Sequence, residues 1–332
     1  MRAFWKRGLV LAVISLVLVA GVLALRATTF REVDPANPLA RTVNSAPQAT
    51  DVVVLGASRA ATLGFPEIRE LVERNTGRSV TVLATDGYGI LPNALLLDVL
   101  LRKTHPQTVV QVVDTFALLS PRWNEDQLES GNLYAHSPLD DDILEVLKQD
   151  PLTSGKTYAY MLGLGGEKGS GEARAAEMRS PVDFDRTHVP NEQLDAQRVA
   201  ELYGDSRAEL IAGYVSRLGG MAQAARGAGS EFLLLFMPVP PHFSARLPEA
   251  HYAVIRQIRD MAEQLDLCVL DHMDVLPGEE NYYDTDHLNR TGAERYASGL
   301  LAELLLPSQG DDEFEDVRMC GFAMDRELQQ QE

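Results

Sequence analysis

Five short apolar runs punctuate the chain, at Asp51–Leu55, Ser79–Ala84, Val109–Val113, Phe232–Phe236 and Cys268–Leu270. They are continuous rather than alternating, which is the pattern of strands buried on both faces. Such strands pair in parallel, and parallel neighbours need helical crossovers. Helical patterns duly follow, at Pro66–Arg74, Leu91–Lys103, Glu209–Ala225, residues 248–265 and Arg290–Leu305. This alternation predicts an α/β fold, a three-layer α/β/α sandwich around a five-stranded parallel sheet. It breaks between Leu118 and Asp205, a stretch read as an insertion after the third strand.

The two ends differ from this middle. Arg2, Lys6 and Arg7 precede an uncharged run from Gly8 to Leu25, with only Ser15 polar, and Arg26 and Arg31 follow. As a helix, a run of this length reaches about 27 Å, near the thickness of a bilayer's hydrocarbon core. Val22 and Ala24 offer a weak cleavage signal, but the run is longer than most secretory signals, so a retained single-pass anchor is expected. The leading positive charges put the N-terminus in the cytoplasm and the rest outside it. The expected organisation is an anchor or signal peptide over 1–26, a linker over 27–50, the α/β domain over 51–306 with an insertion at about 118–205, and an acidic tail over 307–332.

Net charge is −18, from 30 Lys and Arg against 48 Asp and Glu. A surface this acidic repels phosphate backbones, so no nucleic-acid partner is expected. Two cysteines, Cys268 and Cys320, exclude a disulfide scaffold and a four-thiolate zinc site. No H-E-x-x-H pattern or clustered histidines occur in the sequence, so neither a metal nor another cofactor is expected. The glycines at 163, 165, 166, 169 and 171 follow no strand and fit no phosphate-binding loop; they read as a flexible loop.

Reactive groups in an open parallel sheet gather at the carboxyl ends of the strands. The first strand runs into Gly56-Ala57-Ser58-Arg59, which puts Ser58 at the start of a helix, as a nucleophile or as a simple N-cap. After the fifth strand comes Tyr283-Asp284-Thr285-Asp286-His287-Leu288-Asn289, followed by Gly292-Ala293. Asp284 and His287, three apart in a turn, are spaced so that a carboxylate orients the imidazole and leaves its other nitrogen as a base. Asn289 reads as a helix cap and Asp286 as a turn residue. His242, in a proline-rich loop after the fourth strand, is a candidate substrate contact. Asp271 and His272 are rivals for the base, although their spacing suits strand-end polar residues. Ser137-Pro138-Leu139-Asp140 with Asp141 and Asp142 reads as a capped helix start with Ser137 as the cap.

The order of these motifs, a G-x-S turn after strand one, a Gly turn after strand two and D-x-x-H before the last helix, resembles the SGNH/GDSL hydrolases, a superfamily of serine esterases and acyltransferases. The resemblance covers about 51–117 and 231–305, and its membrane-anchored arrangement looks like members that act on cell-envelope polysaccharides. It implies Ser58 as nucleophile, His287 as general base and Asp284 as its orienting partner. It also implies the Gly87 and Ser58 amides as oxyanion donors. Many members supply a third donor from an Asn after strand three; this chain has Val113-Asp114-Thr115-Phe116 there, leaving Asn93 or Arg59 as substitutes. The implied function is hydrolysis or O-acyl transfer of an extracytoplasmic ester, with an acylated carbohydrate as substrate and an envelope polysaccharide-modifying complex as partner. The alternative is a catalytically weak, membrane-tethered module that binds glycan or assembles a complex.

Overall fold

The computed structural model describes residues 2–29, 33–45, 50–162 and 184–305. Its centre is a parallel five-stranded sheet: β1 (Val52–Leu55), β2 (Val80–Val82), β3 (Thr108–Val112), β4 (Glu231–Phe236) and β5 (Cys268–Asp271). The spatial order is β2-β1-β3-β4-β5, a flavodoxin-like doubly wound arrangement. Because side chains alternate across a strand, each continuous apolar run feeds both faces at once. Val53, Leu55, Val109, Phe232 and Leu234 pack into one core, beneath the helices Ile90–Lys103, Ile211–Gly227 and Glu249–Leu265. Val52, Val54, Val110, Leu233 and Leu235 pack into the other, beneath Pro66–Thr76 and Arg290–Ser298. The expected three-layer α/β/α class is therefore the observed one.

The order reverses between β1 and β3: the chain goes from β1 to one side and returns across it to the other. That reversal opens a crevice at the carboxyl ends of β1 and β3, where Ser58 and Asp114 lie. Gly56 lets the end of β1 pass close to β3, since a Cβ there would sit 2.9 Å from that of Val112. β2 is shorter than its apolar run, but its pairing with β1 persists into the next turn. There the Leu83 and Thr85 amides donate to the carbonyls of Val54 and Gly56.

Three local expectations need adjusting. Within the stretch expected as a linker, Pro38–Ser45 forms a helix packed on Ile90–Lys103, with Leu39 and Ala40 fully buried. Asn37 starts it by accepting from the Leu39 and Ala40 amides, and Arg41 reaches the carbonyls of Val82 and Ala84. The last helix is two pieces, Arg290–Ser298 and Leu300–Leu305, broken at Gly299. The helix Asp141–Gln149 is capped by Asp140, whose carboxylate accepts from the Asp142 and Ile143 amides, and not by Ser137, whose hydroxyl donates to the Tyr134 carbonyl. Lys103 pairs with both Asp140 and Asp142, so those acids serve a helix start. The glycine-rich 163–171 and the tail 307–332 with Cys320 lie outside the described residues.

The N-terminal helix, Arg2–Thr29, exposes its apolar side chains from Trp5 to Val22, and that segment is long and apolar enough to cross a membrane. At the other end of the domain, Gly292 has the Asn281 backbone carbonyl where its Cβ would be. Gly292→Ala is therefore expected to lower stability by about 1–3 kcal/mol, visible as a reduced urea midpoint. An unchanged midpoint would mean that this close approach relaxes without cost.

Candidate active site

Ser58 is the first residue of a short helix, Ser58–Ala61, entered directly from β1. Its predecessor Ala57 occupies the cap position and offers no side-chain acceptor, so Ser58 is not the helix's N-cap. The hydroxyl is engaged elsewhere: Ser58 Oγ lies 2.8 Å from His287 Nε2, across 229 residues of chain. The other ring nitrogen, Nδ1, is 2.9 Å from both carboxylate oxygens of Asp284. The structure thus brings together the three residues that the motifs single out, in the geometry of a nucleophile, a base and an orienting carboxylate.

The turn that carries the base is built by Asp284 itself. Its Oδ1 accepts the backbone amides of Asp286 and His287 at 3.0 and 2.9 Å, an Asx-turn that fixes the carboxylate before it meets the imidazole. Tyr282 and Leu288 pair across the base of the loop, and the Tyr283 ring stacks on His287 with centroids 5.5 Å apart. Asn289 fills the expected cap role, accepting from the Gly292 amide, while its Nδ2 donates to the carbonyls of Glu280 and Arg186.

Asp286, expected as a turn residue, carries much more. It is 1% exposed, and its carboxylate receives Arg198 Nε at 2.9 Å and Arg59 Nη2 at 3.4 Å, with His287 Nδ1 3.5 Å away. Burial alone would raise its pKa, but the surrounding His287, Arg198 and Arg59 charges hold it below the usual carboxylate range. His287 responds in the opposite sense. Burial disfavours its charge, yet Asp284 and Asp286 outweigh that and push it up to about 9. Arg198 comes from the helix Glu192–Tyr203 inside the insertion, and no spacing in the sequence marks it.

The other candidates separate. Gly87 sits in the turn after β2 with φ +73°, a conformation that suits glycine, and Trp123 lies beside it. Among the described residues, the Gly87 amide takes no part in the backbone hydrogen bonds of its turn, and Ser58, as the first residue of its helix, has no intrahelical acceptor for its own. Arg59 is 7% exposed and already committed: its Nη1 lies 3.0 Å from Asp114, its Nη2 reaches Asp286, and its guanidinium covers the Phe243 ring at 4.9 Å. Both of its terminal nitrogens thus face carboxylates, while its buried Nε has no hydrogen-bond partner. Asn93 is buried at 1% exposure, with an Oδ1 that finds no partner. His242 is held by Glu279 and faces Asp195 rather than standing free as a substrate contact. Asp271 accepts from the Met273 amide, and His272 pairs with the Tyr296 hydroxyl, so neither competes for the base role. Where the resemblance leads one to expect an Asn, Asp114 sits against Arg59. The buried Asn124 donates from Nδ2 to the Ala117 and Ser120 carbonyls, and its Oδ1 accepts from the Leu91 amide.

No protein-family model and no curated protein matches the chain. Among solved structures it is similar to TesA, at 16% identity over 66% of this chain and 76% of that one, with a TM-score of 0.32. It is also similar to a GDSL-like lipase from Bacteroides thetaiotaomicron (11% identity, 82% and 98% coverage, TM-score 0.42). A third is a lipase/acylhydrolase from Enterococcus faecalis (13% identity, 76% and 95% coverage, TM-score 0.38). These likenesses are distant, and what the site can do rests on its own geometry.

Asp286→Ala leaves two cations around a carboxylate that is gone. A loss of about 3–5 kcal/mol in unfolding free energy is expected, read by chemical denaturation. A loss under about 1 kcal/mol would show that the arginines find other partners.

Proposed function

We propose that this protein is a serine-dependent acyl-ester hydrolase or O-acyl transferase of the SGNH/GDSL type. The observation that carries the proposal is the continuous Ser58–His287–Asp284 relay, with hydrogen bonds of 2.8 and 2.9 Å, at the switch point of a parallel sheet. In the proposed reaction His287 Nε2 takes the Ser58 proton as Oγ attacks the ester carbonyl carbon. The tetrahedral oxyanion is met by the Ser58 and Gly87 amides. Collapse expels the alkoxide, which takes the proton from the imidazolium, and leaves an acyl-serine. Water completes hydrolysis, or a sugar hydroxyl completes transfer.

The substrate side follows from location. The N-terminal helix is proposed as a retained anchor in the cytoplasmic membrane with the catalytic domain outside, so the ester is extracytoplasmic. An acylated cell-envelope or secreted polysaccharide is the proposed class. A polysaccharide-modifying complex is the proposed setting, and cofactor chemistry has no part in this mechanism. The missing Asn after β3, where Asp114 sits against Arg59, favours one alternative: a weakly catalytic, tethered glycan-binding module.

Fluorophosphonate labelling of the full chain in detergent micelles, beside p-nitrophenyl acetate turnover, separates these. Labelling and turnover that both disappear in Ser58→Ala, with turnover down at least about 10⁴-fold in His287→Ala, are the expected results. Labelling without turnover would assign a transferase that awaits its sugar. A folded protein giving neither would leave the binding module.

The charge on His287 sets a second expectation. A base with its pKa raised to about 9 is protonated at neutral pH, so kcat/KM should climb about tenfold per pH unit through neutrality and level off near pH 9. Asp284→Asn removes an anion that stabilises the imidazolium, so the climb should shift to lower pH while the maximum falls. A rise left in place by Asp284→Asn would separate the titration from His287.

A further inference from the structure

Outside the relay, a second group of ionisable side chains converges. His188 precedes the insertion helix Glu192–Tyr203, Asp195 lies in its first turn, and His242 sits in the turn Pro241–Ser244 after β4. Their ligand atoms all lie within 4.8 Å of one another. His188 Nε2 is 3.3 Å and His242 Nε2 is 3.5 Å from the same oxygen, Asp195 Oδ1. The Asp195 side chain is 1% exposed, and the two imidazoles are about nine-tenths buried.

The hydrogen bonds around this group orient it. His242 Nδ1 lies 2.7 Å from Glu279 Oε1, which assigns the ring proton to Nδ1 and leaves Nε2 with its lone pair. That buried Nε2 has no hydrogen-bond partner and faces a carboxylate oxygen, acceptor against acceptor. The other oxygen, Asp195 Oδ2, accepts from the Asn191 amide and turns Oδ1 inward. The His188 backbone amide donates to the Tyr282 carbonyl and fixes that ring's origin.

Charge-assisted hydrogen bonds between imidazole and carboxylate run near 2.7–2.9 Å, so 3.3 and 3.5 Å are long for a shared proton. They match another spacing. A tetrahedral Zn²⁺ with bonds of about 2.0–2.1 Å separates neighbouring ligand atoms by about 3.3 Å. Two neutral imidazoles with the Asp195 and Glu279 carboxylates sum to two negative charges, which a dication balances. A carboxylate bonded to the far nitrogen of a ligating histidine is the usual outer support of such a site.

We propose that His188, Asp195 and His242 bind one Zn²⁺-like divalent cation, with Glu279 orienting His242 and a fourth position left to water. The site is a clamp. It ties the insertion to the loop after β4, three residues along the same helix from Arg198, which grips Asp286 beside the catalytic base. It is independent of the ester chemistry and stands if that function fails. The Asp284, Asp286 and His287 group is not a rival, because its ligand atoms are spent within the relay and on the two arginines.

The test uses the full chain, made without a polyhistidine tag, stripped by chelator in detergent and titrated with ZnCl2 or CoCl2 at neutral pH. One Zn²⁺ per chain is expected, with Kd below about 1 μM, and Co²⁺ should give the intense visible absorption of a four-coordinate site. His188→Ala and His242→Ala should each weaken binding at least about 100-fold, and Glu279→Gln by about 10–100-fold. His287→Ala should bind as the parent does. Circular dichroism confirms the fold of each variant, and Glu279→Gln, which keeps side-chain shape, decides the matter should an alanine variant unfold. No stoichiometric binding by the parent chain would overturn the proposal, as would binding untouched by the His188, His242 and Glu279 changes; the imidazole and carboxylate would then share a proton alone.

Discussion

The buried carboxylate of Asp286 is the constraint around which the rest of the site is arranged. A charge that far from water is costly unless cations answer it at close range. Here they arrive from three parts of the chain: Arg59 beside the nucleophile, Arg198 in the insertion, and the neighbouring His287. Satisfying Asp286 therefore fixes the Ser58 helix, the catalytic turn and the insertion helix relative to one another. Arg59 extends the chain of charge to Asp114 at the end of β3, so the two strand ends bordering the crevice are joined as well.

Two carboxylates two residues apart play different parts because their surroundings differ. Asp284 keeps a 40% exposed side chain, spends one oxygen on its own turn, and presents the pair to His287 Nδ1. Asp286 is sealed and holds position. Together they keep the imidazole charged up to about pH 9, against the effect of burial. The price of that arrangement is an imidazole that is mostly protonated at neutral pH, and the gain is a ring held between Asp284 and Ser58.

The strands and the motifs that carry Ser58, Asp284 and His287 were legible in the sequence because each is a local pattern. Continuous apolar runs of three to six residues report a strand buried on two faces whatever it packs against, and D-x-x-H in a turn brings its own geometry through backbone hydrogen bonds to Asp284. Asn289 was legible as a cap for the same reason. The ion pairs of Arg59 were not legible, since its place beside Ser58 says nothing about Asp114 and Asp286 waiting on other loops. Arg198 left no trace, because its partner Asp286 lies 88 residues away, and His242 was singled out only as a substrate contact because Asp195 meets it from another element. The linker expected before β1 hid a helix whose apolar side gains meaning only against Ile90–Lys103.

The sequence by itself determined the layer architecture, the apolar N-terminal segment, and the motifs whose Ser58, His287 and Asp284 the fold brings together. The tertiary structure alone decided which charges share the interior. Burial strengthens electrostatic interaction and removes the water that would otherwise satisfy each group, so the roles of Asp286, Arg59 and Arg198 exist only once the chain has closed around them.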